Sequence, residues 1–198
     1  MIKIENLNNE KPYIKYKELY DLAKSNNQNQ IERILIASFN HKLNEVNARY
    51  VNLKYIANDE WIFFSNYKSN KAKDFSSHNQ ITAVSYWSSI DVQIRMKAVI
   101  TKSCTKFSDK HFASRSDKKN ALAISSQQSR PVNSYEDVKN EYTSILNSEN
   151  LYKRPSYWGG YSFTPYYFEF WKGHKSRINK REIYKREGDE WMKSFLSP

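Results

Sequence analysis

The sequence predicts a mainly β protein, an antiparallel barrel or sandwich with added helices. Three observations carry that expectation. Ile90 to Thr101 alternates cleanly: Val92, Ile94, Met96, Ala98 and Ile100 are set between Asp91, Gln93, Arg95 and Lys97, so one face is buried and the other polar. Most strand-like runs follow one another across short polar turns. No regular strand–helix–strand alternation is present, which argues against a doubly wound parallel sheet.

The elements follow in order. Residues 12 to 26 read as a helix, because Tyr13, Tyr16, Leu19, Tyr20 and Ala23 recur at helical spacing after Pro12. Ile31 to Asn40 is a strand, closed by a polar turn from His41 to Glu45. Val46 to Ile56 and Trp61 to Ser65 are the next two strands, with Asn58-Asp59 turning between them. Ser69 to Ser77 reads as a short helix with Ser69 as its cap. Ile81 to Trp87 is apolar and β-prone. Residues 108 to 128 form one or two helices, and Tyr135 to Leu146 another. Tyr161 to Trp171 is a long aromatic strand, expected to break near Pro165. Arg181 to Tyr184 and Glu190 to Phe195 make a hairpin around Glu187-Gly188-Asp189. The expected total is seven or eight strands and four helices, in one domain spanning 1–198 with residues 1–30 as an N-terminal helical segment.

Composition narrows the function classes. With 39% hydrophobic residues, among them 15 Tyr, 10 Phe and 5 Trp, the chain can build a core without staples. Its one cysteine, Cys104, excludes an internal disulfide framework, and the four scattered histidines offer no metal-ligand spacing, so no metal is expected. No run of 18 apolar residues is present, and Met1 to Asn6 has no apolar signal region, so no membrane partner and a cytoplasmic location are expected. The net charge of +11 points to anionic partners, either phosphate-bearing small molecules or nucleic acid. No nucleic-acid motif or single basic stripe supports the second, so no nucleic-acid partner is expected.

No glycine-rich phosphate loop and no nucleophile elbow occur. Any phosphate must therefore be held by side chains, through an Arg fork with a nearby ammonium. The candidates are Arg49, Lys54, Lys71, Arg115, Lys119, Arg177 and Arg181. Arg49 and Lys54 stand out because they sit within an apolar strand. Strict alternation sends them to opposite faces, so a bulge or a subunit boundary would be needed for both to meet one ligand. Trp158-Gly159-Gly160-Tyr161 spends two of only four glycines side by side, which demands either positive φ or a close approach.

Several motifs then occur in one order: Arg49-Tyr50-Val51-Asn52-Leu53-Lys54, Phe63-Phe64-Ser65-Asn66, Ser69-Asn70-Lys71-Ala72, Val92-Gln93-Ile94-Arg95, Phe112-Ala113-Ser114-Arg115 and Gln128-Ser129. They are followed by the Trp158 motif, Glu169-Phe170-Trp171, Arg177-Ile178-Asn179-Lys180-Arg181, and Trp191 with Leu196-Ser197-Pro198. From about residue 31 to the end, this ordered set resembles the pyridoxamine 5′-phosphate oxidases.

The resemblance implies a split β-barrel of antiparallel Greek-key type that binds FMN at the interface of a homodimer. It implies oxidation of pyridoxine or pyridoxamine 5′-phosphate at C4′, giving pyridoxal 5′-phosphate with O2 reduced to H2O2. The implied FMN contacts fall on Arg49, Lys54, Phe64, Ser65, Asn70, Lys71, Gln93, Gln128, Ser129, Trp171 and Arg181. The implied substrate-phosphate contacts fall on Lys54, His111, Arg115 and Lys119, and the ring contacts, with the catalytic role, on Arg177 and Asn179. The chain departs from the family pattern where Asn70 replaces Arg, Phe64 replaces Tyr, and Asn179 replaces the His of an Arg-x-His pair. Asparagine can hydrogen-bond but cannot become cationic near neutral pH. The alternatives are an FMN-dependent oxidoreductase of the same fold with another substrate, as in phenazine biosynthesis, and a non-catalytic flavin-binding protein.

Overall fold

A computed structural model describes residues 1–147 and 150–198. Its strands are β1 (Lys3–Glu5), β2 (Arg33–Asn40), β3 (Glu45–Ala57), β4 (Glu60–Asn66), β5 (Gln80–Trp87), β6 (Val92–Lys102), β7 (Trp158–Lys172), β8 (Lys180–Glu187) and β9 (Glu190–Leu196). Its helices are α1 (Lys11–Ser25), α2 (Asn70–Ser77), α3 (Thr105–Ala113), α4 (Asp117–Ser125) and α5 (Tyr135–Leu146), and a single 3-10 turn (Ser88–Ile90) joins β5 to β6.

Six strands close a ring. β3 pairs with β2, β2 with β5, β5 with β6, β6 with β7, β7 with β4, and β4 returns to β3, every pair antiparallel. β7 makes closure possible by its length. Its first half pairs with β4 on one side, and its second half passes on to β8 on that same side while β6 runs along the other. The β8–β9 hairpin thus leaves the ring as an extension, which gives the split-barrel outline.

Aromatic rings fill the interior. Trp61, Trp87, Tyr13, Tyr16, Phe63, Phe163 and Phe168 are all fully buried. Helix α1 supplies Tyr13, Tyr16, Tyr20 and Ala23 from one face. Tyr16 meets Trp61 edge-on at 4.4 Å between ring centroids, and Tyr13 meets Phe168 at 5.3 Å. Glu182, buried beside Tyr184, accepts Lys15 of α1 together with Lys180 and Lys193, so one carboxylate ties the helix to the terminal hairpin.

The structure corrects the sequence reading in four places. The N-terminal thirty residues contain a strand, β1, which pairs parallel with β3 from Lys3↔Tyr55 to Glu5↔Ala57. Three residues with no alternating partner give no periodic signal, and only the open edge of β3 makes them a strand. The totals are accordingly nine strands and five α-helices among the described residues. β7 does not break at Pro165: the register shifts between Lys97 and Ala98, so one extra residue, Tyr166, is accommodated as a bulge beside the proline. Ser69 stands at the helix cap position, but its hydroxyl donates to the Asn66 carbonyl at 2.8 Å instead of capping α2.

The paired glycines resolve as close approach, not positive φ. A Cβ on Gly159 would lie 2.2 Å from the Tyr67 hydroxyl, and one on Gly160 2.7 Å from Ser103 Oγ. The Gly160 carbonyl accepts from both Tyr67 Oη and the Ser103 amide, locking the start of β7 to the chain that leads into α3.

Candidate functional site

The main cavity, about 580 Å³, opens between β3, β4, the start of α2, the α3–α4 corner and Gln128. Of the expected site residues, Lys54, Phe64, Ser65, Lys71, His111, Arg115, Lys119 and Gln128 line it. Lys3, Tyr50, Val51, Asn52, Tyr55, Ser114, Ser116 and Trp158 line it as well. Five cationic side chains, Lys3, Lys54, Lys71, Arg115 and Lys119, therefore face one space with no carboxylate among the described lining residues.

Lys54 reaches the cavity through a bulge. Leu53 pairs with Phe63 and Tyr55 with Ile62, which leaves Lys54 as the extra residue of β3. That irregularity breaks alternation and brings both Lys54 and Tyr55 to the cavity wall. Arg49, in contrast, is not on the wall. Its guanidinium donates to Ser38 Oγ at 2.6 Å and pairs with Asp74 Oδ2 at 3.1 Å, near enough for its charge to act on Lys71.

Two bonded groups make up the wall. In the first, Lys71 lies 3.3 Å from Ser65 Oγ, and Ser65 Oγ donates to Gln128 Oε1, which also accepts from the Asn66 amide. Burial, then the neighbouring Arg49 charge, lower the Lys71 ammonium to a pKa of about 8, against the opposing pull of Asp74. In the second, Phe64, His111 and Trp158 lie nearly parallel, with Phe64 3.7 Å from His111 and 5.2 Å from Trp158 between ring centroids. The Arg115 guanidinium lies over Trp158 at 4.3 Å and donates through Nη2 to the Lys119 carbonyl at 2.7 Å. Arg115 Nη1 is buried and has no hydrogen-bond partner among the described residues.

His111 is held neutral. Burial comes first, then the charges of Arg115, Lys54, Lys3 and Lys119, and together they lower its pKa to about 4. Its Nδ1 lies 2.9 Å from the Tyr55 hydroxyl. Burial lowers Arg115 to about 10, so it stays charged near neutrality. A buried donor without a partner among the described residues, carried by the stacked Arg115 guanidinium beside further cations, fits a phosphate. Phe64 and Trp158 beside it fit a flat ring system.

The remaining expected residues lie elsewhere. Gln93, Trp171 and Arg181 stand opposite one another on β6, β7 and β8, in one cross-strand row. The next row on that face joins Arg95 and Glu169. Glu169 takes Arg181 Nε at 2.8 Å and both Arg95 nitrogens Nε and Nη2. Burial alone would raise the Glu169 pKa, but the hydrogen bonds from Arg181 and Arg95 outweigh it and hold the carboxylate below its usual range. Arg177, with φ of 59°, and Asn179 are in the β7–β8 loop, where Asn179 Oδ1 accepts from the His174 amide at 3.0 Å. None of these five residues lines the cavity in the single chain. Asn70 and Ser129 are exposed at its margin without lining it, Ser129 with φ of 70° next to Gln128.

Sequence reasoning missed Tyr55, Lys3 and Trp158 as wall residues. Trp158 had a signal, its place in the glycine motif. Tyr55 had none, because alternation places it opposite Lys54 until the bulge is known. Lys3 arrives through β1, which has no sequence signature.

Residues 158–198 match the family described as the pyridoxine 5′-phosphate oxidase C-terminal dimerisation region. The chain is 38% identical over 146 residues to the pyridoxine/pyridoxamine 5′-phosphate oxidase of Cytophaga hutchinsonii, a match covering 72% of this chain and 67% of that protein. It is 33% identical over 153 residues to the enzyme of that name from Thermosynechococcus vestitus, covering 76% and 72%. Its fold is similar to that of PhzG from Burkholderia lata, solved in complex with tetrahydrophenazine-1-carboxylic acid. There the TM-score is 0.89 at 21% identity, over 96% of this chain and 93% of that one.

Proposed function

The chain belongs to the pyridoxine/pyridoxamine 5′-phosphate oxidase family of oxidase-type enzymes, and on that premise we propose that it is an FMN-dependent oxidase of a phosphorylated pyridoxine or pyridoxamine. The observation that carries the reading is the cavity wall: among the described residues it has five cations, no carboxylate, and a buried Arg115 donor left unpaired. FMN, when bound, would supply the hydride acceptor for the substrate C4′ carbon and the route of electrons to O2, with H2O2 formed.

The chain's own residues supply binding and orientation. Lys71, Ser65 and Gln128 form one hydrogen-bonded group suited to the flavin phosphate and tail, with Arg49 adding positive field from its seat on Asp74. Asn70 and Ser129 flank that group. Lys54, Arg115 and Lys119 would hold the substrate phosphate by charge. His111, being neutral, would contribute a single hydrogen bond, with Tyr55 fixing its ring. Phe64 would pack against a flat ring.

Gln93, Trp171 and Arg181, with Arg177 and Asn179, would complete the site from a second copy of the chain. The support is that they lie on another face of the same barrel and within or beside a segment matched to a dimerisation region. A homodimer with two composite sites follows. One continuous sheet from β1 to β9 supports reading residues 1–198 as a single flavin-binding domain. No helix among the described residues is long and apolar enough to cross a membrane, and a cytoplasmic location is part of the proposal.

A second reading, oxidation of a different substrate, is favoured by Asn179. Its carbonyl oxygen accepts from the His174 amide, which ties the side chain to its own loop, and an amide cannot carry the charge or relay the proton of an imidazole. An absorbance spectrum of the purified protein, taken anaerobically with and without pyridoxamine phosphate, tests both. Flavin bands that bleach on addition support the first reading. Flavin bands that do not bleach favour the second, or a flavin binder without turnover. A colourless protein that takes up no FMN ends all three.

A further inference from the structure

We propose that Lys71 is a carbonyl-reactive amine, and that in the flavin-free chain it condenses with small phosphorylated aldehydes drawn into the cavity. This goes beyond the oxidase reading, because the condensation needs no flavin; the choice of aldehyde rests on that reading, whose product is such a compound.

The placement of Lys71 carries the inference. It is 9% exposed yet lines the cavity wall, so the amine is desolvated but reachable. Its polar neighbours are two neutral hydroxyls, Ser65 Oγ at 3.3 Å and Ser69 Oγ at 3.5 Å. Asp74, the carboxylate whose field reaches it, is committed to Arg49 at 3.1 Å, Ser38 at 2.8 Å and Asn40 at 2.8 Å. Lys71 therefore makes no ion pair among the described residues, and the adjacent Arg49 charge works against its protonation. Desolvation beside a second cation is a general way to activate a lysine as a nucleophile. With a pKa of about 8, about one molecule in ten carries the free amine at pH 7.

Selectivity comes from the rest of the wall. Arg115, with its unpaired Nη1, and Lys119 offer a seat for a phosphate in the same cavity. An aldehyde bearing a phosphate is thus concentrated where the amine is. The Lys71 nitrogen lone pair attacks the carbonyl carbon, and the C=O π electrons move to oxygen. Both amine hydrogens leave with that oxygen as water, and a C=N bond remains. No oxidant or reductant is consumed.

The test uses flavin-stripped protein, pyridoxal 5′-phosphate as the probe, borohydride to fix the C=N bond, and peptide mapping. One pyridoxyl group is expected at Lys71, formed at least about tenfold faster than at any exposed lysine, with the rate half-maximal near pH 8. Inorganic phosphate should slow it, reloading with FMN should block it, and unphosphorylated pyridoxal should react at least about tenfold more slowly. Lys71→Arg should abolish the mapped site while keeping the charge. Label spread over exposed lysines with Lys71 unmodified, or equal rates for the two aldehydes, overturns the proposal. FMN titration of the same sample separates the two ideas: FMN uptake without Lys71 label sinks the amine and spares the oxidase, and label without FMN uptake does the reverse.

Discussion

The cavity and the outer β6–β8 face both carry arginines, and they are built in opposite ways. On the outer face Arg95 and Arg181 share Glu169, which is 3% exposed, so one carboxylate offsets half of their charge within the fold. In the cavity five cations gather with no carboxylate on the described wall, and Arg115 keeps a buried donor free. The outer pair holds side-chain geometry without any ligand. The cavity instead accumulates repulsion and desolvation, visible as the lowered pKa values of Lys71, His111 and Arg115. The proposed phosphate-bearing ligand would relieve this cost, which Asp74 offsets only in part at Lys71.

The largest effect that would break this contrast is on anion binding. Arg115→Ala should weaken the phosphate-bearing ligand by about 1.5–3 kcal/mol, the scale of a charge-assisted hydrogen bond. Calorimetric titration with pyridoxal 5′-phosphate measures it, using protein in which Lys71→Arg blocks condensation. A loss below about threefold would mean that cavity charge is not what holds the ligand.

Next comes the opposite experiment on the outer face. Glu169→Gln leaves two part-exposed guanidiniums unpaired and should cost about 2 kcal/mol of stability, below the full penalty for a fully buried pair because water reaches both arginines. Urea unfolding reads it directly. No change in midpoint would show that the pairing is surface decoration, and the contrast with the cavity would collapse.

Asn179→His sharpens the proposed composite site. If the loop of one copy meets the cavity of the other, restoring an imidazole should raise kcat more than it changes KM, by about tenfold. Steady-state kinetics with saturating FMN decide. A slower Asn179→His would mean that the loop is built around the Asn179–His174 bond.

The smallest effect is a pH dependence. The folded pKa of His111, about 4, lies below its ordinary 6.5. Between those values the unfolded chain takes up a proton that the folded chain refuses. Stability should therefore fall as pH drops from 6.5 towards 4 and level off below, by about 1 kcal/mol after solvent screening is allowed for. Glu182, held at about 2 once its lysine and tyrosine hydrogen bonds overcome burial, acts in the other window, losing its contribution as pH falls from 4.5 towards 2. Melting temperatures above pH 4.5 isolate the first, and His111→Gln should flatten that slope. Bound phosphate should flatten it in part, by compensating the cations that add to burial in keeping His111 neutral.

Much of the architecture was legible in one dimension. Alternation along Val92 to Ile100, turn residues at Asn58 and Gly188, and helical spacing of Tyr13, Tyr16 and Tyr20 are local signals, and β6, both hairpins and α1 formed where they pointed. The same holds for residue types at the site: the sequence supplied the cations, the lack of a phosphate loop and the family resemblance. Tertiary structure decided which of those residues share a space. Lys54 turns to the cavity because β3 bulges against β4, and Lys3 arrives because the edge of β3 accepts β1 in parallel. Arg49 is drawn off the wall by Asp74 from α2, and His111 is neutral because the closed fold buries it and brings Lys54 and Lys3, distant in sequence, beside Arg115 and Lys119. Periodicity is a property of neighbours along the chain, whereas charge balance and burial are sums over neighbours in space. The first can be read from the sequence; the second exists only once the barrel has closed.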